Sequence, residues 1–436
     1  MSKQSLSRRD FLKAAAAAGS SSLVAGLAGV LPHVALAQDT ITLTFGHHWE
    51  AAFRPVQEEF DNAFMERHPE INFEVTYNTW ADHNTVVPVW AAAGTLPDII
   101  YVHGSRVAPW AAEGIISPIE ELVEADTEFN VEGIWEEALR LYRVDGLLHG
   151  IPYDHGPLIL GYNKDMFDAA GMDYPDETWT MDTLQEASVA LSDPENSIWG
   201  FSGEHPNLGN GSSGATLRPW GAVLMNEEET QMLIDSPEAK VALDFWYNLT
   251  HDLHGAPSAT EAEGFGDDPW QNGRTAMAVV PSWETPSLMQ FASFAWDVAP
   301  WPEGPAGRAT GAFGSGFSIT TASQQREAAW TYLSEYLSTE GMIQMWGVTG
   351  RGSPARKDAL DSWLTSPAAP EHGQYYIDAL ETYAVTDPPF LTSVAAQVLD
   401  IVGREATLLR LGEKSVDDVI ATIMSEAQPV LDAVEA

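Results

Sequence analysis

Two segments after residue 39 alternate between apolar and polar residues, and this pattern predicts two β-strands. These segments are 40–45 and 71–77. Between them, the apolar residues of 53–64 recur at helical spacing, and a second helical stretch, 86–93, precedes a short apolar strand at 98–102. An order of strand, helix, strand, helix, strand predicts a parallel sheet with helices on both faces, and therefore an α/β fold.

Helical periodicity continues through the rest of the chain, with longer irregular connections between about 157 and 305. The Gly- and Ser-rich segment 207–214 is predicted to be a flexible loop. We find no internal repeat and no linker long enough to separate independent domains. The further predicted helices are 165–170, 180–191, 237–250, 324–336, 340–346, 374–383, 391–409 and 416–434.

Residues 1–37 are typical of a secretory signal. The segment 7–13 reads Ser-Arg-Arg-Asp-Phe-Leu-Lys, which matches the twin-arginine export motif. The Ala/Gly/Leu stretch at 14–30 is too weakly apolar for a stable membrane span. An Ala-Leu-Ala cleavage site ends at Ala37. We therefore expect twin-arginine export, cleavage after Ala37 and a periplasmic location; a Sec signal with a chance arginine pair is the alternative.

The charge balance excludes several classes of partner. The chain has 21 Lys+Arg against 63 Asp+Glu, a formal net charge of −42, which repels nucleic acid and anionic membranes. It has no Cys, which excludes disulfides, thiolate metal sites and Cys nucleophiles. The excess of carboxylates with few lysines predicts a halophilic protein, because concentrated salt screens self-repulsion. An ordinary acidic exported protein is the alternative.

Seven segments, in order along the chain, resemble motifs of the extracellular solute-binding proteins of ABC importers, the large sugar-binding family of maltose-binding-protein type. The segment 162–171 resembles the motif Y-N-K-D-x-F-x-x-A-G at every specified position. In a second segment, 145–152, Leu147 and His149 replace a usual Lys and a usual aromatic residue. The remaining five segments are 94–100, 178–180, 272–277, 338–341 and 350–356.

This resemblance implies a two-lobe periplasmic-binding-protein fold of type II, with a ligand cleft between α/β lobes joined by crossing segments. Lobe one would comprise 38–154 plus 313–348, and lobe two 155–312 plus 349–436. The crossings would lie near 153–158, 309–314 and 347–352, and the second is rich in Gly, which tolerates the backbone changes of a hinge.

The resemblance also implies a function. The protein would be a monomeric substrate-binding component of an ABC importer that captures a sugar or polyol by hinge closure. It would deliver this ligand to the transmembrane permease subunits, without catalysis and without a cofactor. An exported carbohydrate-active enzyme, such as a glycoside hydrolase, is the alternative.

Residues that follow predicted strands or lie at crossings are candidate sugar contacts, because sugar C–H faces stack on rings and sugar hydroxyls bond to polar groups. Core packing is the alternative for each ring. Arg351, like Arg218 beside Trp220, would grip a carboxylate or phosphate, or else form a structural ion pair. The candidate ligand-binding residues are Trp49, Tyr77, Trp80, His83, His103, Tyr153, Asp154, Trp220, Trp283, Gly316, Phe317 and Arg351.

Sites of other kinds lack their defining spacing. The His47-His48 pair has no companion histidines at metal-ligand spacing, and 264–268 lacks the D-x-D-x-D-G pattern of a calcium loop. Ser315 is not in a G-x-S-x-G elbow, and no G-K-[ST] follows the glycines of 307–316. We therefore expect no metal site, serine hydrolase or phosphate loop.

Replacing both Arg8 and Arg9 by Lys should block export, because the twin-arginine route reads the arginine pair itself. Cell fractionation measures export, and N-terminal sequencing of the exported parent should begin at Gln38. Lys3→Gln, outside the motif, is the control and should be exported normally. Undiminished export of the double Lys variant would reassign the signal to the Sec route.

The Tm of the mature protein should rise between low and molar NaCl, because salt screens carboxylate repulsion over roughly 10 Å at 0.1 M. Thermal unfolding followed by circular dichroism measures this rise. Sucrose at matched osmolality is the non-ionic control. A Tm that stays flat or falls with NaCl would contradict the halophilic interpretation.

Overall fold

The computed structural model describes residues 40–49, 51, 53–202, 205–209, 211–262, 269–387 and 391–435. The signal predicted at 1–37 and the acidic segment 264–268 lie outside the described residues. Both sheets described below belong to one unit, which begins at Ile41.

The strands of the first hundred residues are those that the alternation predicts, each within a few residues. The thirteen strands named here are β1 Ile41–His48, β2 Ile71–Asn78, β3 Ile99–His103, β4 Arg143–Val144, β5 Leu147–Leu148, β6 Ile151–Pro152, β7 Gly156–Asn163, β8 Trp199–Phe201, β9 Thr275–Pro281, β10 Trp296–Ala299, β11 Thr310–Phe313, β12 Ser315–Ile319 and β13 Ala384–Val385.

The predicted helices are confirmed, with small shifts at their ends. The helix expected at 86–93 begins earlier, at Trp80, because the Thr79 side chain caps it by accepting a hydrogen bond from the Asp82 backbone N–H. The α-helices are Arg54–Arg67, Trp80–Ala93, Gly104–Ala112, Glu120–Ala125, Glu136–Arg140, Lys164–Ala170, Met181–Ala190, Ser213–Leu217, Pro237–His251, Ala259–Ala262, Thr285–Phe291, Arg326–Tyr336, Thr339–Met342, Leu360–Leu364, Gln374–Thr382, Ala395–Arg410 and Val416–Glu435. A π-helical turn, Ile343–Val348, extends the predicted helix 340–346.

The first sheet has the strand order β2-β1-β3-β12-β6. Strands β1, β2 and β3 are parallel, as the strand–helix alternation predicts. Strand β12 arrives from the second crossing and runs antiparallel to both β3 and β6. The parallel sheet predicted for the first hundred residues is therefore confirmed, and β12 adds an antiparallel strand to it, because a strand that enters from the other lobe is not bound by the βαβ connection rule.

The second sheet has the order β13-β11-β7-β9-β8, with β10 also paired to β7. Strand β7 is its centre, and all eight residues of Gly156–Asn163 are buried. The sequence of a strand that is covered on both faces is a continuous apolar run rather than an alternation of apolar and polar residues. This sheet is mixed as well, since β7 and β9 are antiparallel whereas β8 and β9 are parallel.

Each sheet has its own hydrophobic core, and a smaller cluster covers the other face of the second sheet. Ala355 and Ala359 pack in the first core, although the sequence places 349–436 in lobe two. The reason is that 353–356 runs alongside the first crossing: Ala355 N–H donates to Tyr153 O at 2.9 Å, and Trp135 N–H donates to Ala355 O at 3.0 Å. The third crossing in our proposed division therefore follows Ala359.

The first two crossings are very short. Residues 153–155 connect β6 of the first sheet to β7 of the second, and Gly314 alone separates β11 from β12. A Cβ on Gly314 would lie 2.0 Å from Asp154 O, so a side chain has no room there. Within the described residues, none of the helices combines the length and apolar character that a membrane span requires.

Six of the described histidines are buried, and burial lowers the pKa of five of them: His47, His83, His103, His155 and His205. Burial, with a smaller contribution from the charge of Arg410, lowers the pKa of His205 to about 3. Its ring lies 4.6 Å from that of Trp246, and neither ring nitrogen has a hydrogen-bond partner among the described residues. Burial likewise lowers the pKa values of His83, His103 and His155 to about 4. These histidines are therefore neutral in the folded protein at neutral pH.

The free energy of unfolding should fall as the pH drops from about 6.5 towards 4. Over this range unfolded histidines, with an ordinary pKa near 6.5, bind protons that the folded protein does not accept, so protonation favours unfolding. Urea titrations at pH 7, 5.5 and 4.5 measure the loss. The variant His205→Phe should lose less stability over this range, because it removes one such group.

The exposed His254, changed to Asn, is the matched control and should leave the pH dependence as in the parent. A parent whose unfolding free energy is the same at pH 7 and pH 4.5 would contradict this account of the buried histidines.

Candidate functional site

A cavity of about 410 Å³ lies between the two sheets, at the crossings. Its walls come from the ends of β1 and β3, the start of helix Trp80–Ala93, the loop before helix Ser213–Leu217, and the turn after β9. The crossing segments complete it. The lining residues are His48, Trp80, Tyr101, His103, Tyr153, Asp154, Asn207, Ser212, Trp283, Phe313, Gly314, Ser315 and Arg351.

Tyr101 organises the first-sheet wall. Trp80 Nε1 donates to Tyr101 Oη at 3.0 Å, and Ser315 Oγ lies 2.9 Å from the same oxygen. Behind it, His83 Nε2 donates to the Tyr101 carbonyl oxygen at 3.0 Å. Burial raises the pKa of Tyr101 well above its ordinary value, so the phenol stays protonated. The wall is therefore held in place by hydrogen bonds rather than by packing alone.

A row of rings spans the cavity from the first sheet to the second. The Trp80 and His103 ring centroids are 6.2 Å apart, those of His103 and Phe313 5.8 Å, and those of Phe313 and Trp283 5.2 Å. Trp283 is attached to the segment beside the first crossing through its neighbour, since Ser282 Oγ lies 2.8 Å from Ser353 Oγ. The row offers apolar faces from both sides of one cavity.

The side of the cavity formed by the crossings holds a pair of opposite charges. Arg351 Nη1 lies 3.9 Å from Asp154 Oδ2, and the two residues are only 4% and 6% exposed. Asp154 Oδ1 accepts a hydrogen bond from Ser315 N–H at 2.6 Å. This bond joins the first crossing to the second.

The loop that carries Asn207 and Ser212 is attached to the second lobe by Asp387. Arg218 Nε donates to Asp387 Oδ2 at 2.8 Å, and Ser213 Oγ donates to the Asp387 carbonyl oxygen. Burial raises the pKa of Asp387 and Arg218 opposes that shift. Of the two readings of Arg218, the structure supports the ion pair. Arg218 is thus placed to hold the loop, not to line the cavity.

Six of the twelve sequence-derived candidates line the cavity: Trp80, His103, Tyr153, Asp154, Trp283 and Arg351. The other six do not. Two of these lie directly behind the wall, where they support lining residues. Trp49 is buried, with the Arg351 guanidinium 4.5 Å from its ring centroid, and His83 is buried behind Tyr101.

The remaining four candidates lie elsewhere. Tyr77 is half-buried beneath Arg54, whose guanidinium is 4.6 Å from its ring centroid. Gly316 and Phe317 are buried in β12, in the first sheet. Trp220, expected as a lobe-two platform, packs in the second core with its ring centroid 4.9 Å from that of Phe245. Gly221, with a positive φ, ends the short 3₁₀ turn that carries Trp220.

Sequence reasoning missed other lining residues, and three of these had a usable signal. Tyr101 is two residues before His103 in the same strand, so both side chains point to the same face. Phe313 and Ser315 flank Gly314, which ends the Gly-rich crossing predicted near 309–314. Asn207 and Ser212 reach the cavity only through the folding of their loop, which no local pattern indicates.

One group of metal-ligand type occurs among the described residues, away from the cavity wall: Asp297, Glu371 and His372. Lys164 Nζ lies 3.1 Å from Asp297 Oδ2 and 2.9 Å from Glu371 Oε2. The His372 ring lies 2.7 Å from Asp297. Lys164, from the Tyr-Asn-Lys-Asp segment, therefore already pairs with both carboxylates. The group is an ion-pair cluster.

Comparison with known proteins identifies a family that this chain matches. Residues 48–343 match the family model described as bacterial extracellular solute-binding protein. A putative binding protein of Brucella abortus is 25% identical over 319 residues, 71% of this chain and 75% of its own. An arabinooligosaccharide-binding protein of Halalkalibacterium halodurans is 24% identical over 360 residues, 78% of this chain and 75% of its own.

The fold has close structural counterparts. An ABC substrate-binding protein of Listeria monocytogenes, solved in complex with cycloalternan, superposes with a TM-score of 0.83 at 23% identity. The superposition covers 90% of this chain and all of that one. At this level of identity the likeness shows the two-lobe fold.

Proposed function

The chain belongs to the bacterial extracellular solute-binding protein family, and we propose that it captures a sugar or sugar-like polyol in the cleft and delivers it to the transmembrane subunits of an ABC importer. The proposed contacts are the residues that line the cavity, in place of the candidates that lie in the cores. The proposed ligand-contacting rings are Trp80, Tyr101, His103, Tyr153, Trp283 and Phe313.

The ring row from Trp80 to Trp283 is the observation that carries this proposal. Sugars present C–H faces that stack on rings and hydroxyls that need directional partners. Carboxylate, amide and hydroxyl groups of Asp154, Asn207 and Ser212 line the same cavity. The names of the two relatives above point to the same class of ligand, an arabinooligosaccharide in one and cycloalternan in the other.

Ligand binding would be coupled to hinge closure because the proposed contacts come from both lobes. A ligand shifts a conformational equilibrium only by its difference in affinity for the two states. A sugar that touches Trp80 in lobe one and Trp283 in lobe two gains contacts only when the lobes approach. The closed surface would then be the form that the permease recognises.

An exported glycoside hydrolase is the competing function. Glycoside hydrolysis uses two carboxyl groups about 5–9.5 Å apart on either side of the scissile bond. Among the described residues of the cavity wall, Asp154 is the one carboxylate, and it is paired with Arg351. The family consists of binding proteins, so we propose capture and release without a bond being made or broken.

The cellular setting is also a proposal. The family is extracytoplasmic, and the arginine-pair motif favours twin-arginine export with cleavage after Ala37. The charge of −42 favours a salt-adapted protein. We propose that the protein acts as a monomer, with lobe one formed by 38–154 plus 313–359 and lobe two by the remainder.

Trp80→Ala and Trp283→Ala should each weaken sugar binding. By analogy with buried hot-spot rings, each should cost about 2–4 kcal/mol, since stacking area is lost from a desolvated site. This corresponds to roughly 30- to 700-fold in Kd. A thermal-shift screen of sugars and polyols identifies the ligand, and calorimetry then measures Kd.

Phe291→Ala is the matched control, because Phe291 is 62% exposed and does not line the cavity. It should bind like the parent. If both Trp variants bind the ligand as tightly as the parent does, the proposal that the ring row contacts the ligand is wrong. If the parent binds no sugar and no polyol, the carbohydrate proposal itself fails.

A further inference from the structure

The only acidic and guanidinium side chains among the described residues of the cavity wall are Asp154 and Arg351. They lie against each other, 3.9 Å apart, and both are more than nine-tenths buried. An arginine that grips a carboxylate or phosphate uses its charge and its N–H groups for that anion. Here the protein supplies the anion itself.

The faces of the guanidinium are covered as well. Arg351 Cζ lies 4.5 Å from the Trp49 ring centroid, 5.5 Å from that of Tyr153 and 5.8 Å from that of Phe53. Moving Arg351 towards a ligand would break these contacts and separate it from Asp154. Separating the two charges of a buried ion pair is energetically costly, so the pair resists such a movement of Arg351.

The rest of the wall offers an anion little compensation. Burial lowers the pKa of His103 to about 4, so its imidazole is uncharged at neutral pH. The other lining groups are aromatic rings, a glycine, an asparagine, two serines and the imidazole of His48. The net charge of −42 adds a long-range repulsion of anionic ligands at low salt.

We propose that the Asp154–Arg351 pair makes the cleft select uncharged sugars and polyols over their carboxylate- or phosphate-bearing counterparts, with Asp154 as the specificity-determining residue. This inference rests on the proposed function and names the charge class of its ligand. Asp154 neutralises the one guanidinium that would otherwise attract an acidic sugar into the cleft.

The variant Asp154→Asn tests this directly, because it removes the charge and keeps the shape. An Asn side-chain oxygen still accepts the hydrogen bond that Ser315 N–H gives to Asp154 Oδ1, so the two crossings stay joined. The variant removes one negative charge from beside the buried guanidinium of Arg351. A uronate bound in the cleft would supply the missing negative charge.

Calorimetry should compare matched neutral and acidic ligands: glucose with glucuronate, galactose with galacturonate, and maltose with its uronate analogue. Measurement at pH 8 keeps any histidine of ordinary pKa neutral. For each neutral sugar that the parent binds, the matching uronate should bind to the parent at least about 100-fold more weakly. In Asp154→Asn this ratio should move by at least about tenfold in favour of the uronate, since the uronate replaces the negative charge that the variant removes from the cavity wall.

Two further variants test whether the change in ligand preference depends on the Asp154–Arg351 pair. The double variant Asp154→Asn with Arg351→Gln should lose the gain for uronates, because no cation remains. Asp297→Asn makes the same change at a buried, paired carboxylate outside the cavity wall, and should keep the parent's ratio.

Circular dichroism and thermal melts establish that each variant is folded. If Asp154→Asn does not fold, Arg351→Gln serves as the reciprocal test: it removes the positive charge beside Asp154 and should favour glucosamine over glucose relative to the parent, measured at about pH 6.5, where the glucosamine amine is protonated. An unchanged ratio in the folded variant overturns the inference.

The outcomes separate this inference from the function on which it rests. A parent that binds neutral sugars and uronates alike overturns the selectivity and leaves sugar capture intact. A parent that binds no sugar, polyol or uronate overturns both.

Discussion

Asp154 and Arg351 meet where the first two crossings run beside the segment 351–356, and the geometry of the cleft depends on this contact. Tyr153 N–H donates to Ser315 O at 2.8 Å, and Ser353 Oγ donates to His155 O at 3.0 Å, so residues 153–155 hold the second crossing on one side and the segment 351–356 on the other. Removing one partner of a buried ion pair typically costs about 3–5 kcal/mol, because the other charge is left uncompensated. The crossings are therefore pinned by hydrogen bonds and by charge at the same point.

The residues that connect the lobes are also residues of the cavity wall. Gly314 alone separates β11 from β12, and its neighbours Phe313 and Ser315 both face the cavity. A Cβ on Gly316 would lie 2.2 Å from Ile151 O, so β12 and β6 approach closely just beyond the hinge. A change in lobe angle at Gly314 would move Phe313 relative to Ser315, which couples the hinge to the ligand contacts directly.

Aromatic side chains serve two purposes in this protein, and position rather than abundance separates them. Of the 16 Trp in the chain, several of the most deeply buried, including Trp246, Trp301 and Trp363, pack around the second sheet. Trp80 and Trp283 differ because both line the cleft: Trp80 begins the helix Trp80–Ala93, and Trp283 lies in the 3₁₀ turn Ser282–Glu284 that follows β9. Their rings remain partly exposed because they lie at the cleft.

The sequence alone determined the α/β class, most helices and strands, the family motifs and the first two crossings, because these follow from local periodicity, turn residues and short patterns that the chain carries in itself. It also identified the residues next to strand ends and crossings, such as His103, Tyr153, Asp154 and Arg351. Only the tertiary structure decided that Trp220 and Phe317 belong to cores, that Tyr101 and Phe313 face the cavity, and that β12 runs antiparallel in the first sheet. It also decided that Arg351 is neutralised by Asp154, since these two residues are almost two hundred positions apart. Which face of a ring is covered, and which charge meets which, depends on contacts between distant segments, and no local pattern records them.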